Sequence, residues 1–102
     1  MSSKYRIKMD FKEAKKQADE LDDIANNLRN VADRDLEQAM ATLNSGWKGD
    51  SATLYLSKVN TVKDKTYREV QDLHSIADDI RRTARIIYEA EMEAWRIAHD
   101  RD

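Results

Sequence analysis

From Phe11 onward the apolar residues of this chain fall three and four apart. Phe11, Ala14, Ala18, Leu21, Ala25, Leu28 and Ala32 form one heptad row, the spacing that keeps side chains on one face of an α-helix. The row then slips by one through Leu36, Ala39 and Leu43, the mark of a stutter. Ile24, Val31 and Met40 widen the stripe beyond what a single neighbouring helix covers. The alanines in the row permit close helix approach. A second row runs Val59, Val62, Thr66, Val70, Leu73, Ala77, Ile80, Ala84 and Ile87, and continues in phase through Glu91, Ala94 and Ala98. No helix breaker interrupts it between Asp50 and the end.

The two rows are separated by Asn44-Ser45-Gly46-Trp47-Lys48-Gly49, which holds both glycines of the chain. Gly46 is placed to close the first helix in the left-handed conformation, and Gly49 to turn the chain tightly into the second. Asp50 or Ser51 then accepts from the free backbone amides. Trp47 is out of place in an exposed turn unless its ring is buried. The expected role is a plug at the end of the helix pair, with Leu54, Tyr55 and Leu56 as neighbours. Before the first row, Tyr5, Ile7 and Met9 alternate with polar residues and read as a short extended arm. Asp10 reads as the helix N-cap, with Glu13 completing a box and Met9 stapling onto Ala14.

The pattern therefore predicts an all-α fold, one domain over 1–102. It has an N-terminal arm (1–9), helix 1 (10–43), a turn (44–49) and a longer helix 2 (50–99), folded as an antiparallel two-helix hairpin. At about 1.5 Å per residue the helices measure about 50 Å and about 75 Å, so helix 1 ends opposite roughly residue 84. Residues 85–102, with Ile86, Ile87, Tyr88, Met92, Trp95 and Ile97, would project as an apolar overhang, which marks an interaction site. A two-helix hairpin cannot enclose a core, and such chains pair into four-helix bundles. The expected seam of hairpin and dimer is Leu21, Leu28, Leu36, Val59, Val70, Leu73 and Ile80.

Composition narrows the chemistry. The 102 residues include 37% charged side chains, no proline and no cysteine. This suits long helices and removes disulfides and thiol chemistry. A formal net charge of −2 argues against a dedicated nucleic-acid binder. Met1 to Asp10 lacks a signal-peptide core, and no transmembrane run occurs. His74 and His99, the two histidines, lie 25 residues apart on one predicted helix and cannot converge. No nucleophile triad, phosphate loop or metal-ligand spacing is present, so no enzymatic role, cofactor or metal is expected. Arg81, Arg82 and Arg85, and Lys12, Lys15 and Lys16, read as solvated faces paired with acids such as Asp78 with Arg82. The alternative is a contact to a partner or an anionic membrane surface.

Trp47-Lys48-Gly49 between two long helices, in a chain of this size without cysteine or proline, resembles the WXG-motif family of small type VII (ESX) secretion proteins. The resemblance covers nearly the whole chain. It implies a non-enzymatic protein made in the bacterial cytoplasm, exported as a folded dimer and recognised by a secretion ATPase. The family's export signal pairs Tyr with an acid four residues on. Here Met92 stands four after Tyr88, so the strict form is absent. A looser pattern of apolar, acid and two further apolar residues is met by Ile87, Glu91, Ala94 and Ala98. Ile87, Tyr88, Glu91, Ala94, Trp95 and Ala98 are the implied export segment, with Glu91 exposed or paired to a base. The expected partner is a second copy, a related hairpin, or the helical leader domain of a larger LXG-type toxin. In the last case the chain would be an accessory partner completing the toxin's export signal. A nucleic-acid or membrane-surface adaptor using the arginines is the reading from another class.

Overall fold

The computed structural model describes residues 3–46 and 49–100. Two helices account for them: α1, Lys4–Gly46, of 43 residues, and α2, Asp50–His99, of 50. The fold is an all-α helical hairpin whose second helix is the longer. Two compact units divide it, one formed by Met1–Asp22 with His74–Asp102 and the other by Asp23–Leu73.

In the first unit the helices run antiparallel. Lys4 meets Trp95, Phe11 meets Tyr88 and Asp22 meets His74. Ile7, Ala18 and Ala77 are buried between them. In the second unit the helices are again antiparallel, with Asp33 bonded to Tyr67 and Ala25 and Val70 buried. These five residues are the whole buried core among the described residues, and three of them are alanine. Small side chains on the seam let the helix axes approach, and larger neighbours stay half-exposed on either side. Leu21, Leu28, Leu36, Val59, Leu73 and Ile80 are all half-buried.

The first helix begins earlier than the sequence suggested. Residues 1–9 were expected to form an extended arm, but α1 is helical from Lys4. Ser3 is the N-cap in place of Asp10. Its Oγ accepts from the Arg6 N–H at 3.0 Å, and its carbonyl accepts from Ile7 at 3.0 Å. This satisfies amides that a helix start otherwise leaves open. The physical reason is Ile7: it lies one heptad step before Phe11 and is only 3% exposed. Burying it against α2 outweighs the local alternation of Tyr5, Ile7 and Met9, which on a helix leaves Tyr5 and Met9 outside.

The helix boundaries at the turn also differ. α1 continues past the expected residue 43 to Gly46. Near its end the Thr42 hydroxyl donates to the Gln38 carbonyl at 3.0 Å, and the Ser45 hydroxyl donates to the Thr42 carbonyl at 2.8 Å. Gly46 does not take the left-handed conformation; Gly49 does, with φ 78°. The Gly49 carbonyl accepts from the Thr53 amide at 3.2 Å and the Thr53 hydroxyl at 3.3 Å. Gly49 thus occupies the N-cap position assigned to Asp50 or Ser51. Asp50 instead lends its charge to the first turn of α2. Trp47 and Lys48, and with them the expected indole plug, lie outside the described residues.

Candidate interaction surface

The expected overhang is mostly covered. With α1 starting at Lys4, residues 85–95 have α1 beside them and do not project. Phe11 stacks on Tyr88 with ring centroids 4.5 Å apart and planes at 22°. The Lys4 ammonium sits 5.0 Å from the centre of the Trp95 ring. Trp95 in turn stacks on His99 at 4.1 Å, and His99 Nδ1 lies 2.8 Å from the Trp95 carbonyl. Only the last turn, from Arg96, runs past the start of α1.

The phase of the export segment changes accordingly. The seam was expected to pass through Ile87, Ala94 and Ala98, and all three are exposed. After Ala84 the row turned toward α1 shifts by one and runs through Tyr88, Glu91, Met92 and Trp95, each half-buried. The two rings explain the shift, because Tyr88 and Trp95 bury more area against Phe11 and Lys4 than Ile87 and Ala94 would. Glu91 borders a small concavity of about 180 Å³ with Ile7, Asp10, Phe11, Ala14 and Ile87. It has no ion-pair partner among the described residues. The segment therefore has two faces. Tyr88, Glu91 and Trp95 rest against α1, Ile87 is half exposed at the rim of the concavity, and Ala94 and Ala98 are exposed.

Ile87 and Ala94 belong to a second apolar row on α2. Ile76, Ile80, Thr83, Ile87, Ala90, Ala94 and Ile97 repeat at four and three, a heptad row beside the one used by the hairpin. Ile76, Ile87 and Ile97 are each about half exposed, at 48%, 50% and 49%. In the second unit a groove of about 400 Å³ is lined by Leu28, Val31, Ala32, Leu36 and Ala39 from α1 and Tyr55, Val59 and Val62 from α2. Val62, expected in the seam, is 63% exposed there. Lys63 takes the half-buried position beside it, laying its apolar stem along the groove.

Charged groups bind the helices elsewhere. In the first unit Arg81 reaches across to Asp19 at 2.7 Å and to Asp22, and along its own helix to Asp78 at 2.9 Å. His74 Nδ1 donates to Asp22 Oδ1 at 2.6 Å. The His74 hydrogen bond, then that of Arg81, holds the Asp22 carboxyl below the usual carboxylate range. Bonds from Asp19 and Asp22 push the Arg81 guanidinium further up. In the second unit the Tyr67 hydroxyl donates to Asp33, which raises its pKa, and the Arg29 guanidinium lies 4.9 Å over its ring. Exposed pairs within one helix include Arg82 with Asp79, where Asp78 was expected, and Arg96 with Glu93 and Asp100.

The cross-helix cluster of Asp19, Asp22, His74 and Arg81 was not foreseen. Arg81 had been read as part of a solvated basic face and His74 as an isolated ring. Their signal was legible only given the helix register, since Asp22 and His74 are 52 residues apart in sequence. Neither histidine meets a nucleophile, and no group of three or more acids, histidines or cysteines among the described residues is arranged to hold a metal ion. No helix among them is long and apolar enough to cross a membrane.

A two-helix hairpin with small seam residues, exposed heptad rows and a Trp-Lys-Gly sequence between its helices defines a class of helical interaction proteins. The chain belongs to the WXG100 family, proteins of 100 residues with WXG, whose model matches residues 6–92. The family is one of small, non-enzymatic type VII secretion proteins that typically dimerise. No curated protein and no solved structure is matched by the chain.

Proposed function

We propose that this chain is exported by type VII secretion as a folded helical dimer and is recognised through the outer face of the α2 end. Family membership supports the route. The observation that carries the dimer is how little the chain buries by itself. No large side chain is fully buried among the described residues, and eleven large apolar residues are exposed. The accessible surface is 7883 Å², about 2,000 Å² more than a monomer of this mass ordinarily exposes. That excess is of the order that one partner contributes to an obligate interface. Covering the Leu28–Val62 groove with another hairpin would turn that part of the helix pair into a four-helix bundle.

Recognition is assigned to Ile87, Ala94 and Ala98, the exposed members of the export segment. Tyr88, Glu91 and Trp95 hold the segment against α1. The experiment is export of tagged chain from cells carrying the secretion system. Ile87→Glu should abolish appearance in the medium while the chain accumulates, still helical, inside; deletion of the secretion ATPase should do the same. Undiminished export of both the variant and the wild type without the ATPase would refute the reading. The exposed rows favour one variation, in which the second hairpin is the leader domain of an LXG-type toxin and this chain completes its export signal. In that case the purified chain associates with the leader in preference to itself.

A further inference from the structure

The outer face of the first turns of α1, away from the contacts of Lys4 with Trp95 and of Phe11 with Tyr88, has features that the hairpin does not use. Residues 4–16 contain six basic side chains, Lys4, Arg6, Lys8, Lys12, Lys15 and Lys16, against two acidic ones, Asp10 and Glu13, a local net charge of +4 in a chain of net charge −2. All six are exposed, and none is paired with a carboxylate among the described residues. Lys4 and Lys15 lie over the Trp95 and Phe11 rings, and Arg6, Lys8, Lys12 and Lys16 are exposed beside them.

Apolar groups sit within this charge. Tyr5 is 73% exposed and Met9 42% exposed. Tyr5, Met9, Lys12 and Lys16 follow one another at four, three and four residues, on the side of α1 turned away from the buried row of Ile7, Phe11, Ala14 and Ala18. A helix paired only with its neighbour has no use for a tyrosine and a methionine on that side. Basic residues flanking a short apolar row are what an amphipathic helix presents to a bilayer interface. Tyrosine is favoured at headgroup depth, and each nearby lysine adds attraction to anionic lipid.

We propose that the outer face of α1, centred on Tyr5, Met9, Lys12 and Lys16, docks peripherally on an anionic lipid surface. The ammonium groups of Lys8, Lys12 and Lys16 meet lipid phosphates, and Tyr5 and Met9 enter the interface. An acidic protein groove or a nucleic acid would satisfy the cations but gives the two apolar groups no apolar phase to enter. The proposal does not depend on the export reading, because it concerns α1 residues to which that reading gives no role.

The test is co-sedimentation of the full chain with vesicles of phosphatidylcholine alone and with vesicles in which about a third of the lipid is phosphatidylglycerol. Binding is expected to the anionic vesicles only, and to weaken sharply at high salt. Lys12→Glu with Lys16→Glu should lower it about tenfold or more. Tyr5→Ser with Met9→Ser should lower it several-fold, and helicity by circular dichroism should be unchanged in both variants. No sedimentation with either lipid, or equal sedimentation with both, overturns the proposal. So does a Tyr5/Met9 variant that binds as wild type, particularly if duplex DNA or polyglutamate then competes the chain off the vesicles, since that result describes a contact to polyanions in general.

Discussion

Phe11 lies nearly flat against Tyr88, ring centroids 4.5 Å apart, and so ties the row in α1, one step after Ile7, to the segment of α2 proposed for export. The contact fixes which side of that segment remains outside. Phe11→Ala should destabilise the chain by about 1–3 kcal/mol, less than a fully buried ring because the pair is half-exposed. With Tyr88→Ala it should show a coupling of about 0.5–1.5 kcal/mol in a double-mutant cycle. Urea unfolding followed by circular dichroism measures both; additive single effects would remove the pairing from the account.

The two faces of α2 should separate in their consequences. Tyr88→Ala should lower the unfolding midpoint, because Tyr88 rests on α1. Ile87→Ser should lower the midpoint of the isolated chain less than Tyr88→Ala does and should lower export, because Ile87 is half exposed. Thermal melts paired with export assays distinguish these, and reversed effects would mean that the segment is turned the other way.

The two glycines of the turn should also part. Gly49 sits at φ 78° and Gly46 does not, while a Cβ would meet nothing within 4 Å at either. Gly49→Ala should therefore cost about 1–2 kcal/mol from backbone strain alone. Gly46→Ala should be neutral or stabilising by a few tenths up to about 1 kcal/mol. Equal effects in denaturant melts would contradict the left-handed assignment.

Acid should weaken the hairpin through Asp22. Its pKa is lowered in the folded state by His74 and then Arg81. The stabilisation it brings is therefore fully present above its unfolded value, about 3.9, and is lost as pH falls through the folded one. The wild-type unfolding midpoint should fall as pH drops below about 4, and Asp22→Asn should flatten that part of the profile. Parallel profiles for the two proteins would show that the cluster does not couple to folding.

Much of this was legible from spacing, and the misses share one origin. The heptad row from Phe11 to Leu43 and its stutter match the buried and half-buried positions residue by residue. Ile7 lies on the same row, one step earlier, but the period of two in Tyr5-Ile7-Met9 competed with it over a window too short to decide. Ending α1 at residue 43 placed Phe11 opposite roughly residue 84; one further turn to Gly46 brings it to Tyr88. That register also decides whether Asp22 can reach His74. Hydrophobic rows report the face of each helix but not how far one helix slides along the other, and every cross-helix pair depends on the slide.

The mass of the purified chain in solution tests the central claim most directly, because a hairpin with so little buried surface is held here to be half of an assembly. Sedimentation equilibrium should give about twice the chain mass of 11.9 kDa, or a one-to-one complex once a partner hairpin is supplied. A monomer of 11.9 kDa that melts cooperatively and gains no mass with any helical partner would contradict it.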